Sequence, residues 1–333
     1  MDGWTASCRH YVALFAVYWD STCGADADER RCKSRRYILH AFCPLDDESD
    51  MGSQAHYDFI ADPLSVYECP WSRVSFLVGD NCSTNQCIGR KEGALPLIGC
   101  ASHRFNLAVR AFLEAHETMV EKVHKFMKKL ATVKGRAVLK KISKLHPKLN
   151  NVTRWSSTYE MLERFVALHP HVKMLEFKDL EKIRIVDLLF IPHEFAQAEE
   201  LLAQLANLEE ATRELQKEEL TLAAARDLFD LAIKRYPCMK KDLSTTSSHV
   251  VTPQLETGLK NASYVDVSYI PPTSNVCERF FSSAKLVYSD LRKKMDYETL
   301  EDVMMLKYND ALWNAYTVQS ICARHPATCS TVD

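Results

Sequence analysis

The period of the apolar residues changes once along this chain, and that change constrains the fold more than any single motif. Before Ala94 the apolar side chains fall in short runs at residues 9–19, 36–42 and 74–78. Runs of this length, bounded by polar and turn-forming residues, predict β-strands, the first two forming a hairpin or meander. After Ala94 the apolar positions recur every three or four residues. Phe105, Val109, Phe112 and Leu113, then Val120, Val123, Met127 and Leu130, predict one long helix or two from 101 to about 130. Helical spacing returns in Val276, Phe280, Ala284, Val287 and Leu291 after Pro271-Pro272, and in Leu300, Met304, Tyr308, Ala311 and Ala315 from 297 to about 316. Between these stretches, residues 244–261 are polar and interrupted by Pro253 and Gly258, which predicts a linker or mobile loop. The length of 333 residues suggests about two domains or one interrupted domain.

Charge is balanced globally and patterned locally. Forty-two Lys and Arg oppose 44 Asp and Glu, a formal charge of −2, so an anionic partner must be held by a local patch. Residues 122–148 supply one, with nine Lys, one Arg and no acid. Residues 194–230 carry ten acids against three basic side chains and read as the solvated face of an amphipathic helix pair. The 12 cysteines are too sparse for a small disulfide scaffold and read as reduced thiols. Residues 11–19, ahead of Ala25-Asp26-Ala27, loosely mimic a signal peptide, but Asp2 and a single Arg make a weak leader. No apolar run approaches the ~18 residues of a membrane span.

Individual residues carry open alternatives. The 74–78 run ends in Gly79-Asp80-Asn81, which puts a carboxylate at a strand tip, where α/β proteins place their chemistry, or simply caps the next helix. Glu278 follows Asn275 by three residues and suits a capping box. Cys82, Cys87, Cys100 and His103 have the ligand types of a zinc site, while Cys100 and His103 equally suit helix packing. Trp155 is either a core anchor for a helix started by Ser156 or Ser157, or a platform for stacking on a nucleic-acid base.

Five signatures resemble those of the hAT transposases in identity and order. They are Asp2-Gly3-Trp4-Thr5, Val78-Gly79-Asp80-Asn81, Cys100-x-x-His103, Thr153-Arg154-Trp155-Ser156-Ser157-Thr158 and Ser274-x-x-x-Glu278-Arg279-x-Phe281-Ser282. The resemblance implies an RNase H-like mixed sheet, its first strand missing or incomplete through N-terminal truncation, interrupted by a large all-helical insertion. The implied division is 1–100 for the first part of the core, 101–262 for the insertion, 263–318 for the rest of the core with the dimerisation region, and 319–333 for a tail. It implies Asp2, Asp80 and Glu278 as catalytic and metal-binding acids around Mg²⁺ or Mn²⁺, because phosphodiester chemistry uses two hard cations and carboxylates suit them. Cys100 and His103 would support the second aspartate. Arg154 and Trp155 would contact DNA, with phosphate-neutralising charge from Lys128, Lys129, Lys140 and Lys141. Val276, Phe280, Phe281, Leu300 and Met304 would form the dimer surface. The expected protein is nuclear, transposase-derived, DNA-binding and a homodimer or higher homo-oligomer, with no membrane or small-molecule partner. It is not catalytically self-sufficient; the alternatives are an active metal-dependent transposase of DDE type and a non-catalytic dimerisation module.

Overall fold

The computed structural model describes residues 1–6, 9–20, 34–45, 52–90, 96–151, 155–260, 269–288 and 295–324. They form two compact units, Met1–Cys100 with Glu218–Ala224 and His249–Asp333, and Ala101–Lys217 with Ala225–Ser248.

In the first unit, β1 (Asp2–Ala6), β2 (Arg9–Asp20) and β3 (Ser34–Pro44) form an antiparallel sheet in the order β1-β2-β3. Asp2 pairs with Ala13 and Ala6 with Arg9, so β1 covers only the first part of β2. β2 pairs with β3 from Tyr11 to Asp20, with a register shift between Leu14 and Phe15. The aromatic and β-branched content of these strands suits a pleated surface buried on both faces. On one face Val12, Leu14 and Ala41 pack with Phe59 and Ile60 of α1 (Ser53–Val66) and Ile88 of α2 (Ser83–Arg90). Two three-residue strands, β4 (Leu77–Gly79) and β5 (Leu97–Gly99), flank α2 in sequence and pair in parallel. The Met1 amino nitrogen donates to the Val78 carbonyl oxygen at 2.8 Å, which sets the start of β1 beside β4. Gly99 is required where it stands, because a Cβ there would run into the Asn81 side chain, whose Nδ2 donates to the Cys100 carbonyl at 3.1 Å.

The second unit is helical: α3 (Ala101–Glu114), α4 (Glu117–Ala131), α5 (Val133–Leu139), α6 (Ser156–Val172), α7 (Phe177–Lys182), α8 (Pro192–Leu215), α9 (from Leu222 to Arg235) and α10 (Lys240–Leu243). The predicted helical run from 101 is therefore two helices. Thr132 ends the second and starts the next, its Oγ1 accepting from the Gly135 N–H at 3.0 Å. Phe126, Phe165 and Phe190 form an aromatic core with ring centroids 4.6 to 5.7 Å apart, and His169 stacks on Phe195 at 3.9 Å. The buried Arg104 guanidinium donates to the Asp242 and Ser244 carbonyls and lies 5.1 Å from the Phe229 ring centre. A cation is tolerated inside a core only when its donors are hydrogen-bonded.

The chain returns to the first unit with α11 (Pro253–Lys260), α12 (Asn275–Val287), α13 (Tyr297–Tyr308) and α14 (Ala315–Arg324). α11 corrects the reading of 244–261 as a loop: Leu255 and Leu259 pack against Ile98, Leu222 and Ile270. The helix expected through 316 also breaks at Asn309. That residue's Oδ1 accepts from the Leu39 N–H, and its Nδ2 donates to the Leu39 carbonyl, both at 2.9 Å. Glu301 accepts from the Phe42 N–H at 3.0 Å. These side chains close the outer edge of β3, which would otherwise offer a free ladder.

The same helices correct the assignment of the dimer surface. Phe280, Leu300 and Met304 are fully buried, Phe281 is 8% exposed, and Val276 is half-buried, all packed on Tyr11, Ala13, Leu39 and Phe42. The chain's own sheet uses this stripe. Among the described residues no helix is long and apolar enough to cross a membrane, and none of the eight described cysteines forms a disulfide.

Candidate acidic cavity and basic face

Two of the three sequence-predicted acids share a cavity. Asp2 opens β1, Asp80 directly follows β4, and the Met1–Val78 contact brings the two strand positions together. A cavity of about 260 Å³ is lined by Asp2, Asp80, His10, His56, Cys82 and Asn85, among others. The Asp2 carboxylate accepts from the Gly3 N–H at 2.9 Å. Burial, then repulsion from Asp80 and a smaller push from Glu278, raise its pKa to about 6. A second carboxylate beside a buried one disfavours the charged form of the buried group.

Asp80 also has a local structural role. Its carboxylate accepts from Asn85 Nδ2 at 2.7 Å and from the Cys82 N–H at 3.3 Å, fixing the turn into α2. Burial, followed by the hydrogen bond to Asp80, pushes the Cys82 thiol up to about 11.

Glu278 lies in the first turn of α12, exposed, and does not line the cavity; only its charge is felt at Asp2. The capping box with Asn275 does not form, since the helix begins after Ser274 with no side-chain cap bond. Among the described residues, no group of three His, Cys, Asp or Glu side chains is arranged to hold a metal ion. Mg²⁺ or Mn²⁺ therefore has two convergent hard donors here, Asp2 and Asp80, and the three-acid set does not fit as it stands. Two of the three thiols expected for zinc are engaged elsewhere, Cys100 Sγ accepting from the Ser274 N–H at 3.3 Å and Cys82 Sγ from the Asn85 N–H at 3.4 Å, while Cys87 is exposed. His103 is half-buried in the first turn of α3.

The basic segment forms an outward face of the second unit. Val123, Phe126, Met127, Leu130, Val138 and Leu139 turn inward and are buried, so helical geometry sends the interleaved cations out. Four of them are neutralised: Lys122 by Glu194 at 2.6 Å, and Lys125 by Glu121, Lys141 by Asp179 and Lys148 by Glu160, each at 2.9 Å. Lys128, Lys129, Lys134, Arg136, Lys140 and Lys144 are in no ion pair among the described residues, and all but the half-buried Lys129 are exposed. Arg154 lies outside the described residues. Trp155 is 5% exposed at the start of α6, where its carbonyl accepts from the Thr158 N–H, so its ring serves as packing.

Sequence reasoning missed His10 and His56, which reach the cavity from β2 and α1, elements that no motif connects. It also missed the neutralising acids Asp179 and Glu160, for which isolated positions in other helices gave no signal.

A family model for the ZBED1 RNase-like helical domain matches residues 98–184. The matched stretch contains α3 to α7 and the whole basic face. The match covers 87 of the 333 residues. No curated protein matches the chain.

Proposed function

We propose that this chain is a nuclear, transposase-derived DNA-binding protein of hAT type that associates with itself and does not cut DNA unaided. One observation carries the reading: the stretch similar to the ZBED1 helical domain holds six cations that no acid among the described residues neutralises. Such a face binds phosphates by releasing counterions, without regard to base sequence. The antiparallel β3-β2-β1 sheet beside the parallel β4-β5 pair, with Asp2 on β1 and Asp80 just after β4, supports an RNase H-like reading of the first unit. The position of Glu278 outside the cavity supports the lack of independent catalysis. Self-association is assigned to α14 and the turn before it, where Leu312, Trp313, Tyr316, Val318 and Ile321 are exposed.

Fluorescence anisotropy with duplex DNA across a salt series tests the reading. With about five to six phosphates neutralised, log K should fall against log salt with a slope of about −5. Lys128→Glu together with Lys140→Glu should flatten that slope by about 2 or more. A slope near zero, or one that the double variant leaves unchanged, overturns the DNA assignment. Metal-dependent nicking abolished by Asp80→Ala and by Glu278→Ala would instead establish the active transposase.

A further inference from the structure

The basic face of the second unit has a neighbour. Lys141, just past α5, reaches Asp179 of α7 at 2.9 Å, and the turn Val186–Leu188 that follows α7 packs against α4. α7 therefore borders the helices that carry the unpaired cations. Its own charges are sorted by the helical period. Glu176 and Asp179 are taken up by Lys178 and Lys141. Lys182 lies about 60° round the helix from Asp179, on the side where Lys141 arrives, whereas Glu181 lies about 200° round and points away. The Asp179 carboxyl is held below its ordinary range first by the hydrogen bond from Lys141, and the charge of Lys182 adds to this. Lys182 itself is exposed and in no ion pair among the described residues.

The next cation is placed by the turn that ends α7. The Arg184 N–H donates to the Glu181 carbonyl at 2.9 Å and the Ile185 N–H to the Leu180 carbonyl at 3.2 Å. This double closure puts residue 184 in the left-handed region, at φ 55°, a position where glycine is usual. Leu180, Ile183 and Ile185 are buried and drive the turn, so the residue between the two isoleucines faces out. The Arg184 side chain is exposed and has no hydrogen bond or ion pair among the described residues, while its backbone carries strain that glycine would avoid.

We propose that Lys182 and Arg184 form a second row of phosphate contacts, so that the nucleic-acid surface of this unit spans α4, α5 and α7. This rests on the DNA-binding reading above and adds two residues to it. Eight unpaired cations then serve the about five to six phosphates of that reading. Cations on separate elements can meet both strands of a duplex, whose combined charge recurs about every 1.7 Å along the axis.

Anisotropy with duplex DNA across a salt series, together with thermal melting, tests this on the full chain. Lys182→Ala, Arg184→Ala and Arg184→Gly should each reduce the slope of log K against log salt by about 0.9, the share of one phosphate. Arg184→Lys should keep the natural slope. Arg184→Gly should nevertheless melt about 3 °C higher than Arg184→Ala, because glycine accepts the left-handed backbone without strain. Glu68, the other described non-glycine residue of positive φ, closes α1 with the same pair of bonds and supplies the control. Glu68→Gly should out-melt Glu68→Ala by a similar margin, with both slopes natural.

A natural slope that Lys182→Ala and Arg184→Gly both leave unchanged overturns the second row and leaves the first standing. Recovery of the natural slope in Arg184→Gly but not in Arg184→Ala assigns the effect to backbone strain and also overturns it, as does an equal slope change in the Glu68 variants. A natural chain with no salt-dependent binding overturns both rows. Should the variants at 184 not fold, Lys182→Ala, at an ordinary helical position, decides.

Discussion

Replacing Asn309 by Ala removes two hydrogen bonds from the backbone of Leu39, a residue with no exposed surface. The N–H and C=O of Leu39 would be left buried without partners, at about 1–3 kcal/mol each before relaxation. Partial entry of water reduces the sum, and we expect a loss of about 2–4 kcal/mol. In exchange experiments that corresponds to a rise of about 30- to 700-fold in the rate at the Leu39 amide. Glu301→Ala supplies a graded comparison. It removes one charge-assisted bond to the Phe42 N–H, also in a fully buried residue, and should cost about 1.5–3 kcal/mol. Glu301→Gln retains an acceptor and should cost less than about 1 kcal/mol. Urea denaturation followed by exchange at residues 39 and 42 isolates the first unit from the second. Asn309→Ala within about 0.5 kcal/mol of the natural chain, with Leu39 exchange unchanged, would refute the idea that α13 closes the sheet edge through this side chain.

Further outcomes follow from other sites. Burial, aided by Lys173, lowers the His169 pKa to about 4, so the unfolded chain takes up that proton first as pH falls. Its contribution is complete above pH 6.5 and declines toward pH 4 by up to about 3 kcal/mol; His169→Phe, which keeps a ring on Phe195, should flatten the loss in denaturation across that range. Phe280→Ala should destabilise the first unit by about 3–5 kcal/mol in urea, because the ring is fully buried against Phe15, Phe42 and Tyr308. In sedimentation, Tyr316→Lys with Ile321→Lys should shift the chain toward monomer, and an unchanged distribution removes α14 from the self-association surface. Reductant should leave the unfolding midpoint where it is, since no described cysteine is bridged.

The hairpin of β2 and β3 and the helices α3, α4 and α12 were legible because their apolar residues repeat at the period of the element. α1 was not legible, although Phe59 and Ile60 are buried in it. Pro63 lies within its last turn and reads as a breaker, yet the helix runs on through it to Val66 at the loss of one i→i−4 hydrogen bond. The end of α13 was misplaced for a related reason. Helical spacing continues past Tyr308, but the Asn309 amide gains two bonds to β3, a partner 270 positions away that no local pattern encodes. The apolar stripe of α12 and α13 was visible, whereas its partner was not: a buried stripe has the same pattern whether a second chain or the chain's own sheet covers it. Asp80 was legible as a strand-tip acid. Its approach to Asp2 depends on strand adjacency, which spacing along the sequence does not specify.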